Sequence, residues 1–212
     1  MKIYRDRAEA GRVLTEALTA CGCNTETVVL GIPRGGVVLA HEVSKKLGSK
    51  LDVMLVRKIG MPMQPELAIG AIASGNVRVF NEILVRQLGV NVEVMDEIIT
   101  REQQELLRRQ HMYMGNRPLT TLKDKQVLLV DDGLATGATM KAAILAVRQL
   151  GGREVIASAA VGAADTVRML EKVADIIVCP QVPADFGSVS QWYDNFEQIH
   201  DQEVARLLSA KN

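Results

Sequence analysis

Short apolar runs alternate with helix-like stretches along most of this 212-residue chain. The apolar runs predict strands at Thr27–Ile32, Leu51–Val56, Gln126–Val130, Glu154–Val161 and Ile176–Cys179. Helices are predicted between them, over Val37–Leu47, Gly137–Leu150 and Ala164–Lys172. Such alternation is typical of a parallel sheet with crossover helices on its faces. The sequence therefore predicts an α/β fold.

Four segments depart from the alternation. Met1–Ala20 is expected to form a helix that packs on the domain, and Leu67–Phe80 a hairpin turning at Ser74–Asn76. Asn91–Met114 predicts one long helix, interpreted as a solvated cover, and Gln181–Asn212 holds the only Trp. Because no repeat or low-complexity linker interrupts the chain, we expect a single domain over 1–212. Its small hood would come from about 1–20 and 181–212, and the hairpin and long helix would be an insertion at about 67–114.

Composition argues against several classes of partner. Lys plus Arg equals Asp plus Glu at 25 each, and aromatic residues make up 3% of the chain. A nucleic-acid-binding module would need a basic surface and stacking aromatics. Met1–Ala20 lacks the apolar stretch of a signal peptide, and the longest apolar run, Val155–Ala164, is too short to cross a bilayer. We expect a cytoplasmic protein that binds neither nucleic acid nor membrane.

The three cysteines, Cys21, Cys23 and Cys179, give little sign of a metal site. Cys21-Gly22-Cys23 could contribute two thiolates, but no second pair or His cluster completes a set of ligands. We interpret all three as reduced thiols and expect no metal bound directly by protein side chains.

The most informative segment follows the third predicted strand. Asp131 and Asp132 come directly after the apolar run Val127–Val130, and Ala135–Thr139 then leads into a helix. Carboxylates at the carboxyl end of a buried strand are suited to accept hydrogen bonds from ribose hydroxyls. Small residues, two Thr hydroxyls and a helix N-terminus can hold a phosphate. The spacing therefore predicts a ribose 5-phosphate site.

Two nucleotide-binding motifs and one signalling motif are excluded for this segment. It lacks the Gly-Lys-Ser/Thr of a P-loop and the Gly-x-Gly-x-x-Gly of a dinucleotide fold. A response-regulator receiver would need an Asp at the end of a later strand and a Lys-Pro. Here the strand Ile176–Val178 ends in Cys179-Pro180.

The segment strongly resembles the phosphoribosyl-pyrophosphate motif of the type I phosphoribosyltransferases. In that family an apolar strand precedes two acids, two variable residues, a small residue, Thr and Gly, followed by Ser or Thr; this chain has Asp131 to Gly137 in that order and Thr139 after Ala138. The resemblance implies that Asp131 and Asp132 hold the ribose hydroxyls. The other residues implied to bind substrate here are Gly133, Ala135, Thr136, Gly137, Ala138 and Thr139.

Two further segments resemble the diphosphate-binding parts of the same family. Gly35 and Gly36 lie in the turn after the first strand, next to Arg34, and Arg57-Lys58 end the second strand. The resemblance implies that these residues stabilise the departing pyrophosphate, with Arg34, Lys58 and Asp132 acting in catalysis. It also implies Mg²⁺, held mainly through substrate oxygens and water, and a possible homodimer.

The resemblance weakens in two regions. The family's mobile closing loop is expected between Gly60 and Gly75, where Glu66 is either functional or an exposed acid. Hypoxanthine-guanine enzymes carry an Asp where this chain has Ala135, which argues against a base of that kind. Three aromatic side chains either stack on the base or pack in the hood, namely Phe186, Trp192 and Tyr193.

Three functions are therefore compatible with the sequence. The favoured one is transfer of phosphoribosyl from phosphoribosyl pyrophosphate to a nitrogenous base. A non-catalytic regulator that binds phosphoribosyl pyrophosphate is the alternative, although this neutral chain lacks the nucleic-acid-binding surface that such regulators carry. A hydrolase that passes the ribose phosphate to water would differ only in what occupies the base pocket.

Overall fold

The computed structural model describes residues 3–61, 64–88 and 92–210, and within them all side chains except those of 64–68 and 92–93. In chain order the helices and strands are α1 (Arg7–Ala20), β1 (Val28–Gly31), α2 (Gly35–Leu47), β2 (Lys50–Val53), β3 (Val56–Met61), β4 (Gln64–Ala73), β5 (Val77–Phe80), α3 (Glu82–Leu88), α4 (Val92–Met114), β6 (Gln126–Asp131), α5 (Ala138–Gln149), β7 (Glu154–Ala159), α6 (Ala164–Leu170), β8 (Ile176–Val178) and α7 (Asp201–Ser209).

Five parallel strands form the central sheet in the order β2-β1-β6-β7-β8, which confirms the predicted α/β class. Strand β6 lies in the middle, and Val127–Val130 are completely buried. Side chains of a strand alternate between the two faces of its sheet. Accordingly Val127 and Leu129 join the hydrophobic core under α5, whereas Leu128 and Val130 join the core under α1 and α2. Burial on both faces explains the continuous apolar run.

A second, antiparallel sheet has the order β3-β4-β5. The predicted strand Leu51–Val56 is thus divided, because β2 ends at Val53 and β3 begins at Val56. The predicted hairpin is confirmed by the pairing of β4 with β5, and Gly75 and Asn76 in its turn both have positive φ. β4 already begins at Gln64, so the hairpin is longer than predicted.

The antiparallel sheet lies between α4 and α5. One face, which includes Ile59 and Ile72, packs with Ile99 and Leu106 of α4 in a single core cluster. The predicted long helix is therefore present and buries one stripe of side chains, whereas Leu107 on the same helix is exposed. The position of α4 is fixed beyond its C-terminus by Asp52, a completely buried acid. Its carboxylate accepts hydrogen bonds from Arg117 and Thr120 in the segment that returns to β6.

The two terminal parts of the chain are joined by main-chain hydrogen bonds. The amide of Tyr4 donates to the carbonyl of Trp192, and the amide of Asp194 donates to the carbonyl of Tyr4. Helix α1 begins at Arg7 rather than at Met1, because the Asp6 carboxylate caps it by accepting from the amide of Glu9. Within the described ranges, no helix has the length and apolar character needed to cross a membrane.

Candidate active site

Two loops leave the central sheet side by side at its carboxyl edge. β1 pairs with β6 so that Gly31 lies beside Val130, and the amide of Ile32 donates to the Val130 carbonyl over 2.8 Å. The loop after β1, Pro33–Gly36, thus runs beside the start of the loop after β6, Asp131–Thr139. We refer to them as the glycine loop and the acid loop. Ligands of open α/β sheets bind at this edge.

The two loops touch so closely that only glycine fits at two positions. A Cβ atom at Gly35 would lie 1.9 Å from Oδ2 of Asp132, and one at Gly36 would lie 2.5 Å from the Val130 carbonyl oxygen. The Pro33–Arg34 peptide bond in the same loop is cis. Glycine at these positions lets the backbone of the glycine loop lie beside the paired acids.

The paired acids occupy different electrostatic surroundings. The amide of Asp132 donates a hydrogen bond of 2.8 Å to Oδ1 of Asp131. Burial, and then the neighbouring charge of Asp132, raises the pKa of Asp131 well above its ordinary value. Asp132 instead forms an ion pair with Arg7. The raised pKa of Asp131 favours its protonated form, and Asp132 is the acid that pairs with Arg7.

Arg7 is a site residue that the sequence did not reveal. Its Nε donates to Oδ2 of Asp132 over 2.8 Å, and a second guanidinium nitrogen donates to the carbonyl of Glu197 over 2.8 Å. The guanidinium lies 3.8 Å from the centre of the Phe196 ring, a cation–π distance. Tyr193 adds a hydrogen bond of 2.7 Å from its hydroxyl to the carbonyl of Asp132. Residues from both chain termini thus hold the acid loop.

The rest of the acid loop is arranged to expose backbone amides. Main-chain hydrogen bonds tie Leu134 to Val161 and Ala163, and the Thr166 hydroxyl donates to the Ala135 carbonyl over 2.5 Å. Gly137 precedes α5 with φ of 70°, where a Cβ would lie 2.6 Å from Thr166. Ala135 and Thr136 are exposed between these anchors. The first amides of a helix lack partners inside it, so this turn can bind an anion.

A family model described as the phosphoribosyl transferase domain matches residues 8–196. The chain belongs to this family. A Mycobacterium tuberculosis protein, provisionally named a phosphoribosyl transferase, is 42% identical over 208 residues, which is 98% of this chain and 47% of the relative. The chain therefore spans about half the length of the curated relatives it matches. The crystal structure of TT1426 from Thermus thermophilus is 39% identical, with a TM-score of 0.87 and 98% of both chains covered.

In this phosphoribosyl transferase domain, the predicted cations do not form one cluster. Arg34 lies in the glycine loop, directly before α2. Arg57 faces α4, where its guanidinium donates two hydrogen bonds of 2.8 and 2.5 Å to Glu102. Lys58 lies on the opposite face of β3, in a cavity of about 330 Å³ that Ala138 and Lys141 of α5 also line. The structure therefore brings the two loops together and separates Arg57 from Lys58.

The remaining predicted residues lie at the borders of the acid loop. Gly133 packs against Val189, since a Cβ there would lie 2.4 Å from that side chain. Thr139 lines a small cavity together with Pro33 and Arg57. The expected mobile loop falls on β3 and β4, but residues 62–63 and the side chain of Glu66 lie outside the described part of the chain. The identity of that loop stays a prediction.

The aromatic candidates of the hood differ in exposure. Tyr193 is 5% exposed and packs against Tyr4 and Phe196, so its ring is enclosed. Phe186 and Trp192 pack against the core under α1 and remain partly accessible. A stacking role for these two rings stays a prediction.

The three cysteines are free thiols. Burial raises the pKa of Cys23 to about 11 and that of Cys179 to about 12, and none of the three cysteines forms a disulfide. In the portion of the chain that is described, no group of three His, Cys, Asp or Glu side chains is placed to hold a metal ion.

Proposed function

We propose that this domain transfers the 5-phosphoribosyl group of phosphoribosyl pyrophosphate to a nitrogenous base. The bond between C1 and the diphosphate oxygen breaks, and its electron pair leaves with the pyrophosphate. A lone pair of a ring nitrogen then forms the new C1–N bond, and the proton of that nitrogen passes to solvent. The expected setting is the cytoplasm, with the chain as a homodimer.

The observation that carries the proposal is the contact between Gly35 and Asp132. Because a Cβ atom at Gly35 would lie 1.9 Å from Oδ2 of Asp132, the glycine loop and the acid loop are in direct contact. A substrate with a diphosphate on C1 and a phosphate on C5 needs a sugar-binding group between two anion-binding groups. The acid pair lies between the glycine loop and the turn Ala135–Thr139 in this way.

The acid pair is suited to the ribose hydroxyls. Asp132, ionised beside Arg7, can accept a hydrogen bond from one hydroxyl, and a protonated Asp131 can both donate and accept. The amides of Ala135–Thr139, with the Thr136 and Thr139 hydroxyls, would hold the 5-phosphate at the start of α5. Fixing both ends of the ribose leaves C1 directed toward the glycine loop.

Departure of pyrophosphate requires positive charge where negative charge develops. Arg34 and the amides of Gly35 and Gly36 would supply it, and Lys58 stays a proposed contributor from the face of β3 that lies toward α5. The site fits Mg²⁺ held mainly through substrate oxygens and water, because Mg²⁺ usually retains several waters and binds substrate phosphates together with few or no carboxylates. When bound, Mg²⁺ would neutralise part of the charge on the leaving pyrophosphate. The chain's own residues orient the two reactants for in-line displacement.

Mass spectrometry can test the proposal. The protein is incubated with Mg²⁺, phosphoribosyl pyrophosphate and a mixed panel of purine, pyrimidine and pyridine bases, beside the Asp132→Asn variant. A new nucleotide mass, absent with the variant, establishes the transferase and names the base. Ribose 5-phosphate alone indicates the hydrolase. Binding of phosphoribosyl pyrophosphate by calorimetry without its consumption supports the non-catalytic regulator instead.

A further inference from the structure

One stripe of α4 runs past the glycine loop. Glu102, Leu106, Arg109 and Tyr113 follow each other at spacings of four, three and four residues, which places them on one helix face. Leu106 is 3% exposed and Tyr113 5%, whereas the Arg109 side chain is 33% exposed. The stripe is thus mostly buried, with one cation at its middle.

Arg109 reaches a closed cavity shared by three segments of the candidate site. The cavity has a volume of about 30 Å³. Besides Arg109, it is lined by Pro33 of the glycine loop, Arg57 of β3 and Thr139 of the acid loop. Its other lining residues are apolar, namely Ile32, Leu55, Val56 and Leu106. Both charged residues that line it are arginines, so an anion is the complementary occupant.

Each of these arginines is held by a carboxylate of α4 that lies outside the cavity. Arg57 donates to Glu102, and Arg109 donates to Oε1 of Glu105 over 2.8 Å. Glu105 also accepts two hydrogen bonds from Arg108, at 2.7 and 3.0 Å. The two hydrogen-bonded arginines, Arg108 first, lower the pKa of Glu105 to about 2, so it stays ionised. Arg109 therefore shares its counterion with a neighbour.

One turn further along the stripe, Tyr113 joins α4 to α7. The Tyr113 hydroxyl donates to Asp201 over 2.5 Å. Burial and this hydrogen bond raise the pKa of Tyr113, while the charges of Arg109 and Arg34 act in the opposite direction. Both guanidinium groups are thus near enough for their charges to act on this phenol.

We propose that Arg109 of α4 binds the diphosphate of phosphoribosyl pyrophosphate together with Arg57. This inference rests on the proposed function. A guanidinium presents a planar set of donors that matches phosphate oxygens. The substrate would replace Glu105 as the partner of Arg109 and Glu102 as the partner of Arg57. Because a cavity of about 30 Å³ has room for water but not for a diphosphate, α4 or these side chains move outward on binding.

The test compares Arg109→Gln with Arg108→Gln by calorimetry. Arg108 is adjacent, pairs with the same Glu105 and is 53% exposed, and it does not line the cavity, so its variant is a matched control. Phosphoribosyl pyrophosphate and ribose 5-phosphate are titrated separately, each in the presence of Mg²⁺. We expect Arg109→Gln to weaken the binding of phosphoribosyl pyrophosphate about 10- to 100-fold, because a charge-assisted hydrogen bond is lost. Its affinity for ribose 5-phosphate should stay within about twofold of the wild-type value. Arg108→Gln should leave the affinities for both ligands within about twofold of the wild-type values.

Two outcomes would overturn the inference while the proposed function stands. One is an unchanged affinity of Arg109→Gln for phosphoribosyl pyrophosphate, and the other is an equal loss for both ligands, which indicates a structural role. If the wild-type chain binds no phosphoribosyl pyrophosphate, the proposed function itself fails, and the inference with it. Glu105→Gln provides an independent measurement, because it removes a carboxylate without touching the cavity. It should bind phosphoribosyl pyrophosphate more tightly than wild type, and weaker binding contradicts the inference.

Discussion

Nε of Arg7 lies 2.8 Å from Oδ2 of Asp132, although 125 positions separate the two residues in the chain. The ion pair is nearly enclosed, with side-chain exposures of 9% and 17%. It joins the first helix to the acid that is expected to bind the ribose. The N-terminal part of the chain therefore contributes to the candidate site as well as to the fold.

Arg7→Gln should lower the free energy of unfolding by about 2–3 kcal/mol, because it leaves a mostly buried carboxylate without its cation. Urea denaturation measures the loss. Arg5→Gln is the control, since Arg5 is 69% exposed and should change stability by less than about 0.5 kcal/mol. A double-mutant cycle with Asp132→Asn should give a coupling energy of about 1–3 kcal/mol, and a value near zero would refute the link.

Asp132→Asn should weaken the binding of phosphoribosyl pyrophosphate by about 1.5–3 kcal/mol, because a charge-assisted hydrogen bond to the sugar is lost. Calorimetry with Mg²⁺ present measures it. Asp165→Asn, at a side chain 93% exposed on α6, should bind like wild type. An unchanged affinity of Asp132→Asn would remove the ribose assignment.

Asp131→Asn should stabilise the ligand-free protein at pH 7–8. The folded state raises the pKa of Asp131, mainly through burial, so folding retains a proton that the unfolded chain releases. Stability is therefore lost as pH rises above the ordinary value of 3.8 toward the folded pKa. Asparagine resembles the protonated acid and avoids this loss. Thermal unfolding should show a higher Tm for the variant at pH 8, with a difference that disappears near pH 4.

Asp175→Asn should show the opposite trend and serves as the control for that series. Partial burial raises the pKa of Asp175, but hydrogen bonds from the Val155 amide and Arg148 outweigh it, and the net pKa is lowered. Its stabilising contribution is present above the ordinary pKa and is lost as pH falls. The variant should thus have a lower Tm than wild type at pH 7, and the gap should narrow in acid. Identical pH trends for the two variants would contradict both assignments.

Arg34→Ala should slow turnover more than it weakens ribose 5-phosphate binding, since Arg34 is expected to act on the diphosphate. Loss of one donor to developing charge lowers kcat on the order of 10²-fold. Steady-state kinetics and calorimetry with ribose 5-phosphate separate the two effects. Arg86→Ala, at a guanidinium 82% exposed on α3, is the control. Equal losses in both measurements would place Arg34 elsewhere.

The sequence predicted the central sheet and the hairpin because their signals are local. Apolar runs, turn residues and helix stops each lie within a few positions of the element they define, as at Val127–Val130 and Ser74–Asn76. The division of the second predicted strand was not visible. Leu51–Val56 is continuously apolar apart from Asp52, and only the packing of α4 and α5 assigns its two halves to different sheets.

The candidate site was predictable where one loop carries it and not where distant segments meet. The loop Asp131–Thr139 has a pattern of residue types that is specific in itself. Arg7 is one of two arginines in α1, and its role depends on a partner far along the chain. Likewise Arg57 and Lys58 are neighbours in sequence, but a strand directs them to opposite faces of its sheet. Arg57 pairs with Glu102, whereas Lys58 lines a cavity together with residues of α5.

The absence of a side chain at Gly36 also bears on how the site can move. With no space for even a methyl group between Gly36 and the backbone of Val130 and Asp131, the glycine loop lies directly against the start of the acid loop. We therefore expect the two loops to move together on the edge of the central sheet. We expect opening and closing of the site to involve the hairpin and α4 instead. Hydrogen exchange should then find substrate-dependent protection concentrated in those two parts.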